Sequence, residues 1–172
     1  MGITSVKAAS TVDLTVKQIS LLKGFIRDCP SGQLDQAQFT NVYQKLFYQG
    51  NPDKFSKYVF NTLDQDRNGF IDFNELLLAV AVSSQGNLED RLDAAFDMYD
   101  TSDDGRISIE EMTNMLQAMS NLVGISDDDV DQRAHEIIKE LGGKEDRGLL
   151  RHEFIQGCMN NAAMRKILAP NV

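Results

Sequence analysis

The segment Asp64-Gln65-Asp66-Arg67-Asn68-Gly69-Phe70-Ile71-Asp72-Phe73-Asn74-Glu75 returns downstream as Asp100-Thr101-Ser102-Asp103-Asp104-Gly105-Arg106-Ile107-Ser108-Ile109-Glu110-Glu111. Gly69 and Gly105 lie 36 residues apart. Phe55, Val59, Phe60 and Leu63 precede the first copy, and Leu76, Leu77 and Val80 follow it. Leu92, Ala95, Phe96 and Tyr99 precede the second, and Met112, Met115, Leu116 and Met119 follow it. Spacings of three and four put each set on one face of a helix, so each segment is a loop between two amphipathic helices. The repeat continues outward. One period upstream, Gly32 stands in the segment Arg27 to Gln38, between Ile19, Leu22, Phe25 and Ile26 and Phe39, Val42, Tyr43 and Leu46. Downstream, Gly142 to Glu153 lies between Ile137, Ile138 and Leu141 and Phe154, Ile155 and Met159.

The two close copies carry oxygen at a fixed spacing. Calcium takes six to eight oxygen ligands, and a twelve-residue loop supplies them from positions 1, 3, 5, 7, 9 and 12, with Gly at position 6 for a sharp turn. In the second repeat Asp64, Asp66, Asn68 and Asp72 offer side-chain oxygens, Phe70 its carbonyl, and Glu75 both carboxylate oxygens. In the third, Asp100, Ser102 and Asp104 hold positions 1, 3 and 5, Arg106 lends its carbonyl with its side chain expected to point outward, and Glu111 closes the loop. Ser108 at position 9 is expected to act through a water. Two calcium ions are therefore expected, with magnesium as a competing ion. The third loop has three ligand carboxylates against four in the second, which favours weaker binding there.

The outer repeats keep the shape without the ligands. The first has Arg27 at position 1, Cys29 at position 3, Pro30 at position 4 and Gln38 at position 12. The fourth, closed on Glu153, has Gly142, Lys144 and Asp146 at positions 1, 3 and 5, and its turn glycine, Gly148, falls one place late. Each is expected to serve as structural mate to a working loop. The fold class is all-α: four EF-hand helix-loop-helix units in two pairs. We divide the chain into an N-terminal arm 1–13, a first pair 14–84 with loops 27–38 and 64–75, a linker 85–90, a second pair 91–160 with loops 100–111 and 142–153, and a tail 161–172.

Bulk properties narrow the function. The 172 residues are 42% hydrophobic, enough for real cores without disulfides. Acidic residues outnumber basic ones 26 to 17, for a formal charge of −9, which disfavours nucleic-acid phosphate and favours cations. Cys29 and Cys158 have no metal-binding spacing and read as free thiols in a reducing compartment. The residues Met1 to Lys7 contain no hydrophobic signal region, so a cytoplasmic location is expected. His135 and His152 have no nucleophilic constellation around them, and no enzymatic activity is expected.

Several strings resemble the neuronal calcium sensor family of recoverin, visinin and frequenin. They are Cys29-Pro30-Ser31-Gly32 in a degenerate first loop, Gly69-Phe70-Ile71-Asp72-Phe73, Ala95-Phe96-Asp97-Met98-Tyr99-Asp100, and Gly105-Arg106-Ile107-Ser108-Ile109-Glu110-Glu111-Met112. The resemblance runs from about Lys17 to Gln156. It implies two EF-hand pairs packed through a bent linker and an apolar groove, mainly on the first pair, that takes an amphipathic helix of a target protein. It also implies myristoylation of Gly2, with calcium-dependent membrane contact at the cytosolic face. The acylation pattern departs at Val6, where a hydroxyl residue is usual; Ser5 falls one place early.

Phe25, Tyr43, Phe47, Phe60 and Leu77 are the groove candidates, the alternative for each being plain core. A sensor opens when calcium draws in the position-12 Glu. The rival readings are a calcium buffer, which two degenerate loops disfavour, and a constitutive calcineurin B-like subunit. A monomer or weak dimer is expected. The segment Met164 to Pro170 is either a frayed end or a strap over the groove.

Overall fold

In the computed structural model, residues 16–46 and 50–170 are described. The elements run α1 (Val16–Asp28), β1 (Gln33–Asp35), α2 (Gln36–Leu46), α3 (Asp53–Leu63), β2 (Phe70–Asp72), α4 (Phe73–Gln85), α5 (Leu88–Tyr99), β3 (Arg106–Ile107), α6 (Ile109–Leu122), α7 (Val130–Glu140), β4 (Leu149–Leu150), α8 (Arg151–Asn160) and α9 (Ala162–Leu168). Every expected helix-loop-helix unit is present in order. Gly2 and Phe47 lie outside the described residues.

Loops pair within each half through short antiparallel strands. Leu34 opposes Ile71, and Ile107 opposes Leu149. All four are position 8 of their loops, counted from Arg27, Asp64, Asp100 and Gly142. Their side chains point into the cores, where Ile71, Ile107 and Leu149 are fully covered and Leu34 is buried. The ladder is therefore fixed by apolar burial, since a one-residue slip turns every side chain to the other face.

Two clusters form the interior. The first gathers Leu22, Phe25, Phe39, Phe60, Leu76 and Val80 around Leu34 and Ile71. The second is larger and gathers Leu92, Phe96, Tyr99, Met112, Met115, Ile138 and Phe154, among others, around Ile107 and Leu149. Helix α3 belongs to both: Phe60 faces the first cluster, while Phe55 and Tyr58 pack against the second.

Two further features join the pairs. Asn87 caps α5, accepting from the Asp90 amide at 2.8 Å while the Asp90 carboxylate accepts from the Asn87 amide at 3.2 Å. This starts α5 at Leu88 and leaves Gly86 and Asn87 between the helices, inside the expected linker. Elsewhere the Asn51 amide donates to the Asn121 carbonyl at 2.8 Å. A side chain at Gly50 would lie 2.0 Å from the Leu122 carbonyl oxygen, so that approach needs glycine. Among the described residues no helix is long and apolar enough to cross a membrane.

The tail is not frayed. Helix α9 lies on the second pair, with Leu168 and Ala169 buried in its cluster. The Tyr99 hydroxyl donates to the Leu168 carbonyl at 2.9 Å. The strap thus covers the second pair and not the groove candidates of the first.

Candidate calcium loops

Both intact loops turn through a left-handed glycine, Gly69 at φ +85° and Gly105 at φ +84°. The carboxylate at position 1 organises each turn. Asp64 accepts from the Asn68 amide at 3.0 Å and the Gly69 amide at 2.9 Å. Asp100 accepts from the Asp104 amide at 3.1 Å and the Gly105 amide at 2.9 Å. Asp64 and Asp100 are 7% and 6% exposed. A buried carboxylate without a cationic partner is costly unless amides or a metal satisfy it, so this placement fits a divalent cation.

Position 12 closes the loops alike. Glu75 accepts from the Gln65 amide at 2.9 Å with one oxygen and from the Asp72 amide at 3.0 Å with the other. Glu111 does the same with the Ser102 and Ser108 amides, both at 2.9 Å. Burial pushes the Glu111 carboxyl up, but the Ser108 and Ser102 amides and hydroxyls outweigh it and hold the group below the usual carboxylate range. The anion is the resting form, as a cation site requires.

Position 9 has a second role that the ligand spacing does not reveal. Asp72 accepts from the Glu75 amide at 2.9 Å and Ser108 from the Glu111 amide at 3.1 Å, each capping the exiting helix. The same box holds in the first loop, where Asp35 accepts from the Gln38 amide at 2.8 Å. The signal was available as Ser/Asp three residues before Glu or Gln. Capping fixes the direction of the position-12 side chain.

The second loop brings its acidic groups together: oxygens of Asp64, Asp66 and Glu75 lie within 4.8 Å of one another. Asn68 turns between them, its side-chain amide donating to Asp66 at 2.8 Å and its carbonyl oxygen accepting from the Phe70 amide at 2.8 Å. This set of hard oxygens around a left-handed turn suits calcium. In the third loop, the Arg106 side chain is exposed. Its guanidinium donates to Asp104 at 2.9 Å, and Ser102 donates weakly to Asp100 at 3.4 Å. The sequence gives Arg106 a spare cation and Asp104 a spare anion two residues apart, and the pair forms locally.

The two loops face each other across a polar cleft of about 560 Å³ that Tyr58, Asn61, Asp97 and Met98 help to line. Arg67 and Asp103, position 4 of each loop, bridge it at 2.9 Å. Both are non-glycine residues in the left-handed region, at φ +56° and +58°.

The degenerate loops differ from each other. In the first, Arg27 pairs with its neighbour Asp28 at the surface, and Cys29 is buried. In the fourth, Arg147 grips Glu153 with both guanidinium nitrogens, at 2.5 and 2.9 Å. This pairing lowers the Glu153 carboxyl below the ordinary carboxylate value. Both cysteines are free and buried, and burial raises the Cys158 thiol to about 11.

The described groove candidates Phe25, Tyr43, Phe60 and Leu77 all meet in the first cluster. Phe25 and Phe60 are buried, and Tyr43 and Leu77 half-buried. Phe39 joins them, with ring centroids 5.1 Å from Tyr43 and 5.7 Å from Phe60.

Comparison with known proteins agrees with this geometry. Residues 91–122 match the family described as EF-hand domain, and residues 57–80 match that described as EF hand. Neuronal calcium sensor 1 of Lymnaea stagnalis is 37% identical over 152 residues, covering 85% of this chain and 80% of that protein. Human recoverin is 30% identical over 157 residues, covering 87% and 78%. S-modulin of Aquarana catesbeiana is 28% identical over 154 residues, covering 85% and 76%. With this level of identity along most of both chains, and with paired EF-hand loops in the same frame, the chain belongs to the recoverin and neuronal calcium sensor family of EF-hand proteins.

Proposed function

We propose that the loops Asp64–Glu75 and Asp100–Glu111 each bind one calcium ion, and that the chain acts as a calcium sensor for a target protein. The observation that carries this reading is the shared frame of the two loops: a buried Asp at position 1, a left-handed Gly at position 6 and a capped Glu at position 12. Phe70 and Arg106 supply carbonyls at position 7 of that frame. Magnesium competes for the same oxygens but demands near-octahedral geometry, which a loop of this ligand number disfavours.

Filling a loop draws the position-12 Glu toward the ion and swings the exiting helix with it. For the second loop that helix is α4, which carries Leu76, Leu77 and Val80 of the first cluster. Movement of α4 separates Leu77 from Phe25, Phe60 and Tyr43 and opens an apolar groove for an amphipathic helix. Ile26 on α1, 61% exposed, and Val42 on α2, 42% exposed, add apolar surface to the helices of the first pair. Acylation of Gly2 would add a single chain, which gives marginal and reversible membrane contact. The sensor reading is preferred over a buffer because a buffer gains from capacity, and two loops have lost theirs.

Calorimetric titration with calcium, with an apolar dye followed in parallel, tests the reading. Two ions bound with dye fluorescence switched on support it. Glu75→Gln and Glu111→Gln should each remove one ion, since each loses a carboxylate that binds through both oxygens. Either variant still binding two ions refutes the loop assignment, and two ions bound without dye response refute the sensor.

A further inference from the structure

We propose that the Arg147 guanidinium takes the place of a cation in the fourth loop and, by holding that loop closed, sets the calcium affinity of the third. The inference rests on reading Asp100–Glu111 as a calcium loop.

The fourth loop has no ligand set, with Gly142, Lys144 and Asp146 at its first three ligand positions. Its backbone is nonetheless closed in the manner of an intact loop. Leu149 pairs with Ile107 as Leu34 pairs with Ile71. Glu153 accepts from the Leu150 amide at 2.9 Å, as Glu111 accepts from the Ser108 amide at 2.9 Å. What differs is the inward face of the position-12 carboxylate. There Arg147 is held by two charge-assisted bonds, with its side chain 29% and that of Glu153 16% exposed. The cation comes from position 6 of the loop itself, where an intact loop has glycine. The turn has moved to Gly148, at φ +74°.

The first loop offers a control within the same molecule. Its arginine pairs outward with Asp28, side chains 78% and 61% exposed, and its position 12 is Gln38. Among the described residues no cation pairs with that position, whose side chain accepts from the Asp35 amide.

Closure of the fourth loop reaches the third through backbone. The strands β3 and β4 are two residues each, too short to persist unaided. A Cβ at Gly148 would meet the Ile107 carbonyl oxygen at 2.4 Å, so the two chains touch directly beside Arg147. Ile107 lies between Arg106, whose carbonyl is a ligand, and Ser108, which caps α6. Loosening residues 147–150 therefore loosens positions 7 to 9 of the third loop. A loop ordered in advance loses less entropy on binding, and groups that orient metal ligands without touching the metal change affinity by about 10–100-fold when removed.

The Gly69 and Gly105 amides, each donating to its position-1 Asp at 2.9 Å, report the two loops separately by NMR. Calcium is titrated into the full chain and into Arg147→Met, Arg147→Lys and Glu153→Gln. Arg147→Met and Glu153→Gln should weaken the Gly105 response about tenfold and leave the Gly69 response unchanged. Arg147→Lys, which keeps the charge with fewer bonds, should recover most of the loss and keeps the test open if Arg147→Met does not fold. Unchanged third-loop affinity in Arg147→Met overturns the proposal. So does equal weakening of both loops with a lowered thermal midpoint, which marks general destabilisation. A Gly105 amide that ignores calcium in the unaltered chain overturns the loop assignment as well.

Discussion

In the first pair, among the described residues, Ile71 and the small Ser56 are the only fully buried side chains; in the second, Tyr99, Phe96, Phe154, Leu92, Met112, Met115 and Ile138 are all fully buried. The second pair also carries the α9 strap, a bidentate ion pair in its degenerate loop, and Arg151. That arginine reaches Asp93 at 2.8 Å and Asp97 at 2.7 Å and lies over the Phe96 ring. Among the described residues the first pair has no strap and no counterpart of Arg151, and the bidentate pair of its own degenerate loop, Arg27 with Asp28, lies exposed at the surface. Of the first pair's rings, Phe25, Phe39 and Phe60 are buried but not fully, with Tyr43 and Phe73 half-buried beside them. Parts of a protein that change shape are drawn from its less stable end. In the sensor reading proposed above, this contrast places opening in the first pair and anchoring in the second.

The largest test of that contrast deletes one ring from each core. Phe154 is fully buried against Phe96 and Tyr99, each 5.7 Å between centroids. Phe154→Ala should cost about 3–5 kcal/mol. Phe39, 7% exposed and so less completely buried, should fall at the lower end of that range, about 3 kcal/mol, as Phe39→Ala. Chemical denaturation in calcium chelator measures both. A larger loss at Phe39 would reverse the assignment of the weaker half.

Next in size is a pair of glycines with the same backbone and different surroundings. Gly32 has φ +73° and Gly148 has φ +74°. Nothing lies within 4 Å of a Cβ added at Gly32, whereas at Gly148 the Ile107 oxygen is 2.4 Å away. Gly32→Ala should cost only the left-handed backbone penalty, about 1–2 kcal/mol. Gly148→Ala should cost about 1–3 kcal/mol more, from overpacking. Thermal unfolding gives both values, and equal losses would mean that the two strands of the second pair part freely.

These comparisons mark where the sequence is informative. The left-handed turns of 64–75 and 100–111 were legible because glycine stands at position 6 of each, among oxygen-bearing side chains. The strand register follows from the one apolar residue at position 8 of each loop, which is buried in the structure. Neither Arg147 on Glu153 nor Arg67 on Asp103 was legible in that way. A ligand table records Arg147 as a missing glycine, and Arg67 as a residue between ligands. Their partners are chosen by side-chain reach after the loops have closed, and in the second case across two pairs. Arg106 was expected outward for its charge, and it is exposed, with the adjacent Asp104 carboxylate as its surface partner. The tail left two readings open because Ile167, Leu168 and Ala169 give too short an apolar run to say which surface they cover.

The smallest effect concerns that tail, which only the second pair possesses. The Tyr99 hydroxyl is buried, and burial raises its pKa far above the ordinary phenol value, so it remains a donor at every physiological pH. It donates to the Leu168 carbonyl at the end of α9, where a helix has no internal partner for that oxygen. Tyr99→Phe keeps the ring packing and removes one hydrogen bond, for a loss of about 1 kcal/mol. The loss should fall on α9 alone. Amide exchange at Arg165 and Ala169, whose N–H groups bond to Asn161 and Arg165 at 3.0 and 2.8 Å, should speed up about fivefold. Exchange at Ile107 and Ile71 should not change. If α9 exchanges at the same rate in Tyr99→Phe, burial of Leu168 and Ala169 holds the strap without the hydroxyl. If the strands loosen too, the strap is part of the core that anchors the third loop.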